Sequence, residues 1–205
     1  MLLNRLEFAL MNNPVRAALQ RHFESPRLLR MGGRMPGGTA LELGCGRGIG
    51  TGLIFDLFGA DAVDAFDLDP RMVALARRRL RPRGSRVRLW VGDATAIPVA
   101  AATYDAVFDF GIIHHIPEWR RALREVERVL KPGGVFYAEE VLRSFIDHPI
   151  VRRLFDHPRD DRFDAATFAE ALREAGLPAR ATEHLWKAAA WFTATKAAQQ
   201  RAVAD

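Results

Sequence analysis

Apolar residues recur along this chain in two rhythms, and their alternation outlines a fold. From Thr39 onward, short apolar runs of strand length alternate with stretches whose apolar positions repeat at helical spacing. TALEL (39–43), VDAFD (63–67), RVRLWV (86–91), YDAVFDF (104–110) and VFYAEE (135–140) predict strands. Residues 50–58, 70–80 and 118–130 predict the helices between them, the last with Trp119, Leu123, Val126 and Leu130 in periodic register. KPGG (131–134) predicts a turn ahead of the fifth strand. Alternating βα units imply an α/β, Rossmann-like, doubly wound and mostly parallel sheet with helices on both faces. Right-handed crossovers should join the strands, and ligands should sit at their carboxyl ends.

The two ends of the chain follow other patterns. Residues 1–31 predict amphipathic helix, with Val15, Leu19 and Phe23 at helical spacing and Arg16, Arg21 and Arg30 among them. Pro26 must break or restart that helix. MGGRMPGG (31–38) forms a hinge, so residues 1–38 are an N-terminal helical extension and 39–205 the main domain. The extension either covers a ligand as a lid or packs on the sheet. Residues 142–162 look irregular, carrying Pro149, Pro158, His148 and His157. A helix over 165–175 stops at Gly176 and Pro178, and 180–186 and 190–196 predict two closing strands.

Composition adds exclusions. With 205 residues, 49% hydrophobic and 27% charged, the chain can build a sizeable core without a disulfide or metal staple. Cys45 is the single cysteine, which rules out an intramolecular disulfide and a Cys-rich zinc site. No secretory signal and no apolar run of about 20 residues is visible, so a cytoplasmic protein with no membrane span is expected. The net charge of +5 invites a nucleic-acid partner. The densest basic stretch, from Arg77 to Arg88, spans a helix end, a turn and a strand start, where a solvated face is the simpler expectation.

The chemistry concentrates at strand ends. Glycines at 44, 46 and 48 in LELGCGRG let the backbone turn tightly against a ligand. A dinucleotide fingerprint needs GxGxxG, yet Ile49, Thr51 or Leu53 occupies the third glycine position in every register. The Gly-Lys-Ser/Thr of a phosphate-binding loop is also absent. Glu42, two residues before the first glycine, repels an anionic ligand and suits an ammonium or sulfonium group. Asp67 ends the second strand and can accept ribose hydroxyls, while Asp69 before Pro70 is a helix N-cap. Leu68 can lie against a base. Asp93, after the third strand, can accept from an adenine amino group. Asp109 and Phe110 end the fourth strand, facing the same crevice, with His114 and His115 following at its mouth. Cys45, inside the glycine turn, suits a small packed residue better than a nucleophile.

Together these motifs resemble the class I S-adenosylmethionine-dependent methyltransferases, in particular the small-molecule branch that includes quinone-biosynthesis enzymes. LELGCGRG resembles that family's first motif, FDLDP its ribose-binding strand end and GDATAIP its adenine-binding segment. YDAVFDFGIIHHI and VLKPGGVF resemble its fourth- and fifth-strand motifs, over roughly residues 39–137 in all. The resemblance implies a seven-stranded sheet with one antiparallel strand near an edge. It implies methyl transfer from S-adenosylmethionine to an unidentified small-molecule acceptor at O, N or C, leaving S-adenosylhomocysteine. Glu42, Gly44, Cys45, Gly46, Gly48 and Asp67 would hold the methionine and ribose parts. Asp93, Ala94 and Leu68 would meet the adenine, and Asp109 and Phe110 the sulfonium side. His115, or its neighbour His114, would take a proton from the acceptor where the chemistry requires it.

His148 and His157 have no companion at metal-ligand spacing, so no metal is expected. Phe145, Phe155, Trp186 and Trp191 suit core packing more than pocket walls. Three alternatives accompany the main expectation: an RNA or other nucleic-acid methyltransferase, a non-catalytic S-adenosylmethionine-binding protein, and a nicotinamide dehydrogenase. DFGI at the fourth strand end lacks the Asn/Asp-Pro-Pro-aromatic pattern of base-amino methyltransferases. The missing glycine at Ile49 disfavours the dehydrogenase.

Overall fold

The strand β1 (Thr39–Leu43) lies at the centre of the sheet, with β2 (Ala62–Asp67) parallel on one side and β4 (Tyr104–Phe110) parallel on the other. The computed structural model describes residues 13–147 and 161–198. With β3 (Val87–Val91), β5 (Leu130–Val141), β6 (Ala179–Leu185) and β7 (Ala189–Thr195), the sheet has seven strands in the order β3-β2-β1-β4-β5-β7-β6. Only β7 runs antiparallel to its neighbours, next to the edge strand β6. The order reverses between β1 and β4, which opens a crevice at the carboxyl ends of those strands.

Helices cover both faces. On one face α2 (Ser25–Gly32), α3 (Ile49–Leu53) with the π-type turn Ile54–Phe58 that continues it, and α4 (Pro70–Leu80) pack over the sheet, with Leu28, Ile54 and Phe58 against Val63, Phe108 and Tyr137. On the other, α5 (Trp119–Val129) and α7 (Ala165–Glu174) press Leu123, Val126, Phe168 and Leu172 onto Leu43, Val107, Phe136 and Phe192. Residues paired laterally across parallel strands share a face, so Glu42 lies level with Phe108, and Leu43 with Asp109. Full burial of each large side chain is worth about 1.5–3 kcal/mol. A four-residue helix, α6 (Arg143–Ile146), follows β5.

The N-terminal helix forms α1 (Pro14–Leu19), widens into a π-type turn over Gln20–Glu24, and continues as α2 with Pro26 in its first turn. Pro26 therefore restarts the helix, where its missing N–H costs nothing. KPGG is not a clean turn before a strand. It is a bulged excursion within β5, because Tyr104 faces Leu130 while Ala106 already faces Val135. Gly133 and Lys196 bridge it at 3.0 Å, and Lys131 Nζ holds Asp105 at 2.8 Å. Residues 1–12, with the start of the expected N-terminal helix, lie outside the described residues, as do His148, Pro149, Phe155, His157 and Pro158. Among the described residues no helix is long and apolar enough to cross a membrane.

Candidate active site

A cavity of about 290 Å³ opens at the carboxyl ends of β1, β2 and β4. The turn after β1 forms its floor. Cys45 N bonds Phe66 O at 2.8 Å, which holds this turn across the end of β2. Gly46, with φ of 50°, has open space where a Cβ would project, and it lines the cavity beside Gly44 and Cys45. Burial pushes the Cys45 thiol far up from its ordinary pKa, so it stays a protonated, packed group. Gly48 departs from the expectation. It does not line the cavity; a Cβ there would meet Leu80 Cδ1 at 2.9 Å, so its role is close packing against α4.

Glu42, Asp67 and Asp93 all line this cavity. Glu42 is 2% exposed, and the Thr51 hydroxyl donates to its carboxylate. Burial raises its pKa to about 8, against the lowering effect of that hydrogen bond. Asp67 Oδ2 accepts from Gly46 N and Oδ1 from Asp69 N, each at 2.9 Å. Its pKa is raised, mainly by burial. Each Asp67 oxygen keeps further acceptor capacity beyond these bonds. Asp69 caps α4 by accepting from Arg71 N at 2.9 Å, so the two aspartates divide as the spacing implied. Asp93 closes a tight turn, Oδ1 accepting from Thr95 N at 2.8 Å, at the rim beside Ala94 and the exposed Leu68.

The fourth strand end corrects two assignments. Phe110 lines the cavity but Asp109 does not. Successive strand residues point to opposite faces, so Asp109 turns to the α5 side, fully buried, accepting from Ile112 N at 2.9 Å beside Glu140. Burial, followed by the Glu140 charge, raises its pKa well above the usual carboxylate range. His115 lines the cavity, whereas His114 lines a separate small pocket and holds Glu140 through Nδ1 at 2.6 Å. His114 thus braces the loop and is no base in the cleft.

Several lining residues escaped sequence reasoning. Gly50 borders the cavity, where a Cβ would sit 2.0 Å from Glu42 Oε1. The signal for it was present, since Gly50 extends the G-x-G-x-G spacing by one more step. Arg16, Ala17 and Gln20 bring the N-terminal helix over the cavity, and nothing in periodicity foretold which face would do so. Arg16 pairs with Glu24 and lies 3.6 Å from Glu139, while Arg47 Nη2 donates to Asn13 O at 3.0 Å. Burial, then the neighbouring Glu24 charge, raises the Glu139 pKa well above normal.

Trp191 is core, Trp186 and Phe145 are exposed, and none of the three lines the cavity. Much of the arginine stretch is tied down. Arg83 pairs with Asp56, Arg88 with Asp64, and Arg86 donates to Asp61 O at 2.7 Å. Among the described residues no cluster of His, Cys, Asp or Glu could hold a metal ion.

A doubly wound sheet of this strand order, with acidic residues at successive strand ends over a glycine turn, is consistent with a Rossmann-like methyltransferase fold. Residues 41–138 match the family described as a methyltransferase domain. A probable S-adenosylmethionine-dependent methyltransferase of Mycolicibacterium smegmatis is 37% identical over 107 residues, 52% of this chain and 39% of that protein. The 2-methyl-6-phytyl-1,4-hydroquinone methyltransferase of Synechocystis sp. is 29% identical over 153 residues, 69% of this chain and 47% of its own length. The chain therefore spans less than half the length of either relative. The crystal structure of a methyltransferase from Aquifex aeolicus superimposes with a TM-score of 0.73 at 20% identity, covering 92% of this chain and 96% of that one.

Proposed function

We propose that this chain binds S-adenosylmethionine in the cavity and transfers its methyl group to a small-molecule acceptor. The convergence of Glu42, Asp67 and Asp93 on one glycine-floored cavity carries this reading. The cavity suits the group, for Gly46 leaves room where any other residue would project, and the lining carboxylates match a cationic, hydroxyl-bearing ligand rather than a pyrophosphate. When bound, S-adenosylmethionine supplies an electrophilic methyl carbon on a sulfonium, and its loss leaves S-adenosylhomocysteine.

The residues divide the work. Glu42 and the backbone of Gly44, Cys45 and Gly46 hold the methionine end, and Asp67 accepts from the ribose hydroxyls. Asp93, Ala94 and Leu68 surround the adenine, and Phe110 excludes water beside the sulfonium. Alignment of donor and acceptor is the main contribution, with His115 accepting a proton where the acceptor must lose one. Of the extension 1–38, the described part from Asn13 acts as a lid on the catalytic domain 39–205, and Arg16 and Gln20 close it over the cavity. The name of the Synechocystis relative makes hydroquinones the first acceptors to assay. Incubation with a labelled methyl donor and such acceptors, then with a metabolite extract, should yield a labelled small product. Label confined to RNA would refute this reading.

A further inference from the structure

The first turns of the N-terminal helix are inside out. Their inward face is polar: Gln20, Glu24 and Ser25 are buried. Their outward face is apolar, with Val15 77% exposed and Leu19 47%, Pro14 and Ala18 exposed alongside, and Phe23, 38% exposed, set edge-on against Trp191 at its margin. These positions fall on one stripe at helical spacing, and the helix that carries them also closes one side of the cavity through Arg16, Ala17 and Gln20. A surface helix ordinarily turns such a stripe to the core. Here the core side is taken by the buried Gln20, Glu24 and Ser25, and among the described residues the apolar stripe stays exposed.

Charge indicates which partner. Between residues 13 and 34 the chain carries Arg16, Arg21, Arg27, Arg30 and Arg34 against one acid, Glu24, which is buried. Arg21, Arg30 and Arg34 are exposed. The nearest carboxylates hold the first two only loosely, Asp56 at 3.4 Å and Glu183 at 3.8 Å, and exposed pairs of this kind dissociate readily. An apolar stripe flanked by arginines, with no exposed acid on the same segment, is the pattern of a helix that lies in the interface of an anionic bilayer. We infer that the outward face of this helix, centred on Val15 and Leu19, docks on an anionic lipid surface. The docked helix would set the cavity mouth at that surface. The inference stands apart from the methyltransferase reading, because it invokes neither cofactor nor turnover.

The test is co-sedimentation of the full chain with vesicles of equimolar phosphatidylglycerol and phosphatidylcholine, beside vesicles of phosphatidylcholine alone. Binding should favour the anionic vesicles by about tenfold or more and weaken with salt. Val15→Glu and Leu19→Glu, at side chains that do not line the cavity, should each lower it by about tenfold while leaving the urea midpoint unchanged. Equal partitioning of wild type and Leu19→Glu would overturn the inference, as would failure of the wild type to sediment with anionic vesicles. A wild-type dimer that Leu19→Glu dissolves would also overturn it, by assigning the stripe to a second copy of the chain.

Discussion

Glu140 Oε2 lies 2.6 Å from His114 Nδ1, and both side chains are shut away from the cavity that His115 lines. Glu140 also accepts from Ile113 N at 2.8 Å and His114 N at 3.3 Å. One buried carboxylate therefore pins three donors of the loop after β4, the loop that walls the cavity with Ile112 and His115. A pair of adjacent histidines is thereby split into an anchor and a cavity residue.

Replacing Glu140 with Gln turns one of its two acceptor oxygens into a donor facing a backbone N–H. The buried mismatch should cost roughly 1–3 kcal/mol. Urea unfolding of Glu140→Gln reads this directly, and an unchanged midpoint would remove Glu140 as the loop's anchor.

Asp67→Ala removes the acceptor assigned to the ribose hydroxyls. Charge-assisted bonds contribute about 1.5–3 kcal/mol, so affinity for S-adenosylmethionine should fall roughly ten- to hundredfold. Calorimetry on the variant measures it.

Glu42 gives the cavity a pH signature. Its carboxyl is raised by burial from 4.5 to about 8 in the folded chain, so between those values the folded state holds a proton that the unfolded state has lost. The associated stability is fully present below pH 4.5 and is lost as pH rises through about 8. Glu140, raised by burial to about 7, adds a slope of the same sign. Binding of a cation runs oppositely, since it needs the ionised carboxylate. Affinity for S-adenosylmethionine should climb by up to about tenfold per pH unit below this pKa. In Glu42→Gln both pH dependences should flatten.

Two glycines two residues apart should respond in opposite directions. Gly50→Ala drives a Cβ within 2.0 Å of Glu42 Oε1 and 2.7 Å of the Phe110 ring, which should cost about 1–3 kcal/mol and weaken cofactor binding. Gly52, in the same helix, has open space at its Cβ, so Gly52→Ala should stabilise by about 0.4–1 kcal/mol. Thermal unfolding of the two variants separates the effects.

These contrasts show what the sequence made legible. Apolar runs bounded by acids and glycines placed Glu42, Asp67 and Asp93 on strand ends, because strand termini and caps are local properties. The phase of β4 was not local. Nearly all of YDAVFDF is buried on both faces, so hydropathy could not tell that Phe110 faces the cavity and Asp109 the opposite side. Gly48 was grouped with the ligand turn because its partner, Leu80, lies on a helix that only tertiary packing brings near. In the N-terminal helix the apolar stripe was plain, but its direction was not. The π-type turn over Gln20–Glu24 shifts the helical phase, and Leu28 then packs inward while Val15 and Leu19 face out.

Parallel calorimetric titrations of the full chain with S-adenosylmethionine and with NAD test the central claim, that three strand-end carboxylates shape a cavity for an adenosyl sulfonium. Saturable one-to-one binding of S-adenosylmethionine with no heat from NAD is the predicted result. Binding of NAD, or of neither, would contradict it.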